Sequence, residues 1–132
     1  MNPQKTILII DDDARMRDLL KRQLKSENFV VWESSDGESA LRLLGQRKKV
    51  HLILLDILMP LASGLDIFDQ IKKAFPDIPI IVTSVYSREE QEFLVWDADG
   101  YYYKSESLRV LMQEIERVFK AEYSVSKRGG GG

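Results

Sequence analysis

Five short apolar runs alternate with amphipathic segments along the chain. The runs occupy residues 6–10, 29–32, 50–55, 78–82 and 101–103. Three of them are nearly unbroken in Ile, Leu and Val, the pattern of strands buried on both faces and therefore of a parallel sheet covered by helices. Between them, Met16, Leu19, Leu20 and Leu24 follow the spacing of one helix face. Asp36 stands where it would cap a second helix carrying Ala40, Leu41 and Leu44. Leu65, Phe68 and Ile71 mark a third, stopped by Pro76. Residues 88–96 suit a short fourth, and Leu108, Leu111, Met112, Ile115 and Phe119 a fifth, with Ser107 at its N-cap. A strand–helix unit repeated in this way predicts an α/β domain, doubly wound by right-handed crossovers that put helices on both faces of a five-stranded parallel sheet. Ser126, Lys127 and Arg128, followed by four glycines, break the pattern. The expectation is one domain over residues 1–120 and a flexible tail or linker remnant over 121–132.

Composition narrows the chemistry. At 132 residues the chain is one domain, large enough to bury about two-thirds of its unfolded surface. Cysteine is absent, which excludes a disulfide scaffold, a thiolate metal site and a cysteine nucleophile. The single histidine, His51, excludes a histidine metal cluster. A formal net charge of −2 carries no strong field toward nucleic acid or anionic membranes. The most apolar stretch, residues 50–62, is cut by Asp56 and Pro60 and falls short of the roughly 20 residues a bilayer span needs. Asp11 to Asp13 interrupt the first apolar run, so no signal peptide is read and a cytoplasmic location is expected. Neither G-x-x-x-x-G-K-[ST] nor G-x-G-x-x-G occurs, so nucleotide binding has no support.

In a doubly wound sheet the ligand crevice lies at the carboxyl ends of the strands. The first run ends there in Asp11-Asp12-Asp13, the third in Asp56, the fourth in Thr83-Ser84 and the fifth in Lys104. Helix capping accounts for one of the three consecutive acids. The others repel unless a cation or a lysine compensates them. Asp56 sits inside the apolar stretch 52–59, where an acid is costly unless paired or solvated. Acids, a hydroxyl and an ammonium at one sheet end suggest Mg2+-dependent phosphoryl transfer. Asp12 and Asp56 would hold a hard cation through oxygen, with Asp11 acting through water. A carboxylate can itself be the nucleophile and form an aspartyl phosphate. Lys104 and Ser84 would then bind the phosphoryl oxygens. His51, at the start of the third run, falls at the opposite end and reads as a surface or edge histidine.

Four motifs, in order, resemble the receiver domain of CheY-like response regulators in two-component signalling. Residues 7–13 (ILIIDDD) resemble its acidic-pair segment and residues 56–64 (DILMPLASG) its phosphoacceptor loop. Residues 79–84 (PIIVTS) resemble its switch-hydroxyl strand, and residues 98–104 (ADGYYYK) its aromatic-switch and lysine segment. The resemblance implies the flavodoxin-like strand order 2-1-3-4-5. It makes Asp56 the phosphoacceptor, Asp11 and Asp12 the acidic pair, and Asp12, Asp56 and the Leu58 carbonyl the Mg2+ ligands. Ser84 and Tyr101 take the switch positions, Thr83 faces the other side of the sheet, and Lys104 takes the lysine position. A sensor histidine kinase or phosphotransfer protein would be the phosphoryl donor. The domain would be no enzyme in the ordinary sense, but would assist its own phosphorylation and dephosphorylation and switch an output partner or domain. A homodimer through the fourth helix, fifth strand and fifth helix is allowed; nucleic acid and membrane are not expected as direct partners. Of the apolar quartet at residues 93–96, at least one side chain should stay exposed, since a core covers only one stripe of a helix. Two departures from the family stand out. Ser105 follows the lysine where proline is usual, so a cis bond there carries the full non-proline cost. Asp97 stands where a glycine is frequent. The rival is a haloacid-dehalogenase-type phosphohydrolase, with Asp11-x-Asp13 as the nucleophile motif. It lacks the further acidic pair after the lysine, where Ser105-Glu106-Ser107 follows, and it leaves Asp56 unexplained.

Overall fold

The computed structural model describes residues 4–46, 49–58 and 64–130, with side chains as far as residue 122. Met59 to Ser63 of the phosphoacceptor-loop resemblance lie outside the described residues. Strands and helices alternate: β1 (Thr6–Ile10), α1 (Ala14–Ser26), β2 (Val30–Ser34), α2 (Gly37–Gly45), β3 (Leu52–Asp56), α3 (Gly64–Ala74), β4 (Ile80–Ser84), α4 (Arg88–Leu94), β5 (Gly100–Tyr103) and α5 (Leu108–Gly130). The five strands form one parallel sheet in the order β2-β1-β3-β4-β5, the predicted order.

Strand alternation divides the core into two layers. Ile7, Ile9, Leu52, Leu54, Ile81 and Tyr102 face Leu20 and Leu24 of α1 and Leu111, Ile115 and Val118 of α5. Leu8, Ile10, Ile53, Leu55, Ile80 and Val82 face α2 and α3 through Ala40, Leu44, Ile67, Phe68 and Ile71. By the same alternation Ser84 lies on the α2–α3 face and Thr83 on the other.

The structure moves some expected boundaries. β2 and β4 run two residues, and β3 one residue, further toward their carboxyl ends than the apolar runs suggest, because Ser34, Ser84 and Asp56 stay in register opposite Ile10, Tyr103 and Thr83. The late start of β2 follows from how α1 stops. Asn28 adopts φ 70°, its N–H donates to Lys25 O, and the Phe29 N–H donates to Leu24 O. That is a Schellman ending with asparagine in the left-handed position. Leu19, expected on the apolar stripe, is half exposed, so the buried face of α1 is narrower than predicted. α4 ends at Leu94 with Val95 as its C-cap, leaving Trp96 outside the helix. The helical backbone of α5 continues to Gly130, where the composition of the last residues predicts a break. An established helix gains a hydrogen bond for each added residue, and the cost of a glycine is only about 1 kcal/mol relative to alanine.

Candidate functional site: an acidic pocket at the carboxyl ends of the strands

The three consecutive aspartates have three different environments. Asp13 caps α1, its carboxylate accepting from the N–H groups of Arg15 and Met16. Asp11 is turned inward and only 1% exposed. Its Oδ1 accepts from the Asp13 N–H at 2.9 Å and its Oδ2 from Lys104 Nζ at 2.9 Å. Its main chain is tied on both sides as well. The Asp11 N–H donates to Ser34 O at 3.1 Å, and Arg17 Nη1 donates to Asp11 O at 2.7 Å. Glu33 holds Arg17 in turn, through a 3.1 Å ion pair that Lys21 shares at 2.9 Å. Asp12 is exposed.

Asp56 closes β3 and is 3% exposed. Its Oδ1 accepts from the Leu58 N–H at 2.9 Å and its Oδ2 from Lys104 Nζ at 3.2 Å. The start of α3 presses on this turn. A Cβ at Gly64 would come within 2.3 Å of Ile57 Cα and 2.6 Å of Asp56 O, so only glycine allows the approach. Asp11, Asp12 and Asp56 each offer an oxygen within 4.8 Å of the others, the arrangement of a candidate cation site. Burial pushes the Asp56 carboxyl above its ordinary pKa, and the Asp11 charge adds to the rise against the Leu58 N–H and Lys104. Burial works against the Lys104 ammonium, yet hydrogen bonds and charges from Asp11 and Asp56 carry its pKa above the usual lysine value. The ammonium therefore stays charged between two buried carboxyl groups.

Ser84 ends β4 fully buried, one residue past the Asp56–Thr83 pairing. Its Oγ accepts from the Tyr86 N–H at 3.0 Å, and its carbonyl accepts from the Lys104 N–H at 2.8 Å. The structure thus brings Asp11, Asp12, Asp56 and Lys104 together, with Ser84 on the neighbouring strand. Tyr101 lies apart from the acids. Its hydroxyl donates to Val95 O beyond α4, and its N–H donates to Glu114 Oε2 at 2.8 Å. The Leu58 side chain is exposed and Tyr86 partly buried. No peptide bond among the described residues is cis, so Lys104–Ser105 is trans. With Asp13 engaged as a cap, the Asp11-x-Asp13 pair of the phosphohydrolase reading does not converge on one site.

Sequence reasoning missed Arg17, Glu33 and Gln91. The first two brace the β1–α1 loop, and Gln91 is a buried amide in α4. An arginine one turn into the helix that follows an acidic loop is the available signal for the brace. His51 does lie at the far end of the sheet but is only partly exposed, and its Nδ1 accepts from the Thr6 N–H at 2.9 Å.

A five-stranded doubly wound sheet with buried acids and a lysine at its switch point defines a receiver-type α/β protein. The chain belongs to the response-regulator receiver family: the family model for the response regulator receiver domain matches residues 7–116. Response regulator RR06 of Streptococcus pneumoniae is 31% identical over 121 residues, covering 90% of this chain and 55% of that protein. The transcriptional regulatory protein CpxR of Klebsiella pneumoniae is 33% identical over 119 residues, covering 89% of this chain and 50% of that protein. The chain thus spans about half the length of the curated relatives it matches. Among solved structures, response regulator TrrA of Thermotoga maritima, in complex with Mg2+-BeF, matches with a TM-score of 0.79 and 33% identity, over 87% of this chain and 99% of that one. TrrA in complex with the histidine kinase ThkA matches with the same TM-score and identity. Among the described residues of this chain, no helix is long and apolar enough to cross a membrane.

Proposed function

We propose that this chain is a phosphoacceptor switch. Asp56 takes a phosphoryl group from a histidine kinase or phosphotransfer protein, with Mg2+, and the fold passes the change to an output partner or domain. The observation that carries this reading is the Lys104 ammonium, at 2.9 Å from Asp11 and 3.2 Å from Asp56, beside a third carboxylate. The histidine-kinase complex and the Mg2+-BeF complex of TrrA support it by likeness.

The residues fit the cation. Three converging carboxylates, one of them open to solvent, suit a hard divalent ion that keeps several waters. Asp12, Asp56 and the Leu58 carbonyl would hold it, with Asp11 acting through water. When bound, Mg2+ supplies positive charge to the phosphoryl oxygens. The chain's own residues do the rest. An Asp56 carboxylate oxygen attacks phosphorus, the P–N bond to the donor imidazole breaks, and a P–O acyl phosphate bond forms. Lys104, released from Asp56 once that carboxylate becomes an acyl phosphate, is placed to pair with a phosphoryl oxygen while keeping Asp11. The Ser84 hydroxyl turns toward the phosphoryl group, and Tyr101 moves into the space that opens.

Residues 1–120 form the switching unit, with 121–132 as its carboxyl-terminal extension, and a cytoplasmic location fits the reading. Within the quartet 93–96 only Val95 is buried, whereas Phe93 is 87% and Trp96 82% exposed. An apolar surface of this kind on α4 suits contact with a partner, a second copy through α4, β5 and α5 included. Direct phosphorylation tests the function. With Mg2+ and a phosphorylated kinase or a small phosphodonor, Asp56→Asn should abolish incorporation of acid-stable, base-labile phosphate. Undiminished labelling would move the acceptor to Asp11 or Asp13 and restore the phosphohydrolase reading.

A further inference from the structure

Gln91 stands in the middle of α4 and is fully buried. A buried amide calls for an account of what it holds. Its Nε2 donates to two main-chain carbonyls in different elements: Tyr86, in the turn between β4 and α4, at 2.8 Å, and Tyr102, in β5, at 3.0 Å. Both partners are acceptors, so only the amide nitrogen can face them, and the orientation of the group is determined. Its Oε1 is buried and meets no donor among the described residues.

The contacts on either side make Gln91 a junction. The N–H of Tyr86 is held by Ser84 Oγ and its carbonyl by Gln91. The Gln91 carbonyl accepts from the Val95 N–H at 2.8 Å, and the Val95 carbonyl accepts from the Tyr101 hydroxyl. One hydrogen-bonded path therefore runs from the Ser84 hydroxyl, through Tyr86 and Gln91, to β5 and to the end of α4 beside the exposed Phe93 and Trp96. We propose that Gln91 is a positioning residue that ties the state of Ser84 to the position of α4.

The inference rests on the reading of Ser84 as the hydroxyl recruited by the Asp56 phosphoryl group. When Ser84 turns away, the Tyr86 N–H loses this acceptor while the Tyr86 carbonyl keeps its hydrogen bond from Gln91. The loop then moves only if Gln91 releases the Tyr86 carbonyl or carries α4 with it. The unmet Oε1 favours release, because any rearrangement that brings it to a donor removes the cost of an unpaired buried oxygen. A glutamine that merely fills the interior would hold α4 equally in both states, and that difference is measurable.

The test follows hydrogen exchange by NMR on the full 132-residue chain, with Mg2+ alone and with Mg2+ plus beryllofluoride. The Gln91 side-chain amide protons should be protected with Mg2+ alone. On adding beryllofluoride they and the backbone amides of residues 86–95 should exchange about tenfold faster. If Ser84 and Tyr101 resonances shift while Gln91 protection is unchanged, the proposal is overturned. In Gln91→Met, a helix-forming side chain of similar length, exchange over residues 86–95 should already match the activated parent, and beryllofluoride should add little. A full parental response in that variant would overturn the coupling. If beryllofluoride leaves Asp56 and Ser84 of the parent unaffected, the functional reading fails by itself. The variant compared without beryllofluoride still decides the tether: faster exchange confined to residues 86–95 supports it, and unchanged exchange overturns it.

Discussion

The two ends of the sheet handle buried polarity in opposite ways. At the amino end, His51 adds one acceptor where the β1 backbone has one donor to place: its Nδ1 takes the Thr6 N–H, while its main-chain N–H donates to Thr6 O. Donor and acceptor match, and no charge is buried. At the carboxyl end, two buried carboxyl groups and an exposed third face a single ammonium. The amino end is complete within the protein, whereas the carboxyl end keeps an excess of negative charge that a cation and a phosphoryl group would rebalance. The same parallel sheet supports both because its strands end together, and local rules are broken where the chemistry is expected.

The contrast breaks most severely if the shared ammonium is removed. Lys104→Met should destabilise the fold by about 3–5 kcal/mol at neutral pH, since it leaves Asp11 and Asp56 buried and uncompensated. Urea denaturation checks this. A loss no larger than that of an ordinary surface substitution would mean that the charge imbalance is illusory.

Neutralising the acceptor should act in the other direction. The folded environment raises the Asp56 pKa, so the fold disfavours its charged form. The resulting penalty is absent below the ordinary carboxyl pKa of 3.8, grows as pH rises from there through the folded value, and is constant above it. Asp56→Asn should therefore be more stable than the parent by about 1–2 kcal/mol at neutral pH, with the gap closing toward pH 4. Mg2+ should narrow the gap as well, because a cation at ten times its Kd stabilises the parent by about 1.4 kcal/mol and the variant less. Equal stability across the pH range would contradict the raised pKa.

The lifetime of the phosphorylated state examines the same end of the sheet. Leu58 and Tyr86 are tied through their N–H groups to Asp56 and Ser84, and neither presents a carboxylate or amide side chain that would orient a hydrolytic water. Leu58→Asn or Tyr86→Glu should speed phosphate loss about tenfold, roughly 1.4 kcal/mol of barrier. Loss of phosphate at the parental rate in both variants would show that these side chains do not control access.

Much of this contrast is legible in the residue types, and its limits are instructive. Asp56 stands out because an acid inside an Ile/Leu run has to be compensated, Asp11 to Asp13 because three consecutive acids exceed what capping needs, and Lys104 because its strand ends at the same edge. How the three aspartates divide their work is not legible, since capping by Asp13 and burial of Asp11 depend on the direction in which the β1–α1 loop leaves the sheet. Gln91 looks like one more polar residue in an acidic segment. It is buried because α4 is only seven residues long and turns the side of Gln91 and Val95 inward. His51 resembles a surface histidine until the Ile7–Leu52 register places it beside Thr6.

That register makes His51 the smallest and most direct check on the comparison. Burial, helped by the charges of Lys5 and Lys49, holds its pKa below the ordinary 6.5, so the folded protein favours the neutral ring. The neutral ring is also the form whose Nδ1 can accept the Thr6 N–H; a protonated ring has no acceptor. As pH falls through 6.5 the unfolded chain binds the proton first, so the stabilising contribution is fully present above that value and is lost progressively below it. His51→Ala should cost about 1 kcal/mol at pH 7.5, the worth of one hydrogen bond, and the difference from the parent should shrink toward pH 5. Asp56→Asn and His51→Ala lie at opposite ends of the sheet with no shared partner, so their effects should add in the double variant. Stability measured against pH separates them by sign, because lowering the pH removes the penalty at the carboxyl end and the benefit at the amino end. A His51→Ala profile that parallels the parent throughout would mean that Thr6 finds another acceptor, and that the amino end is not the self-sufficient one.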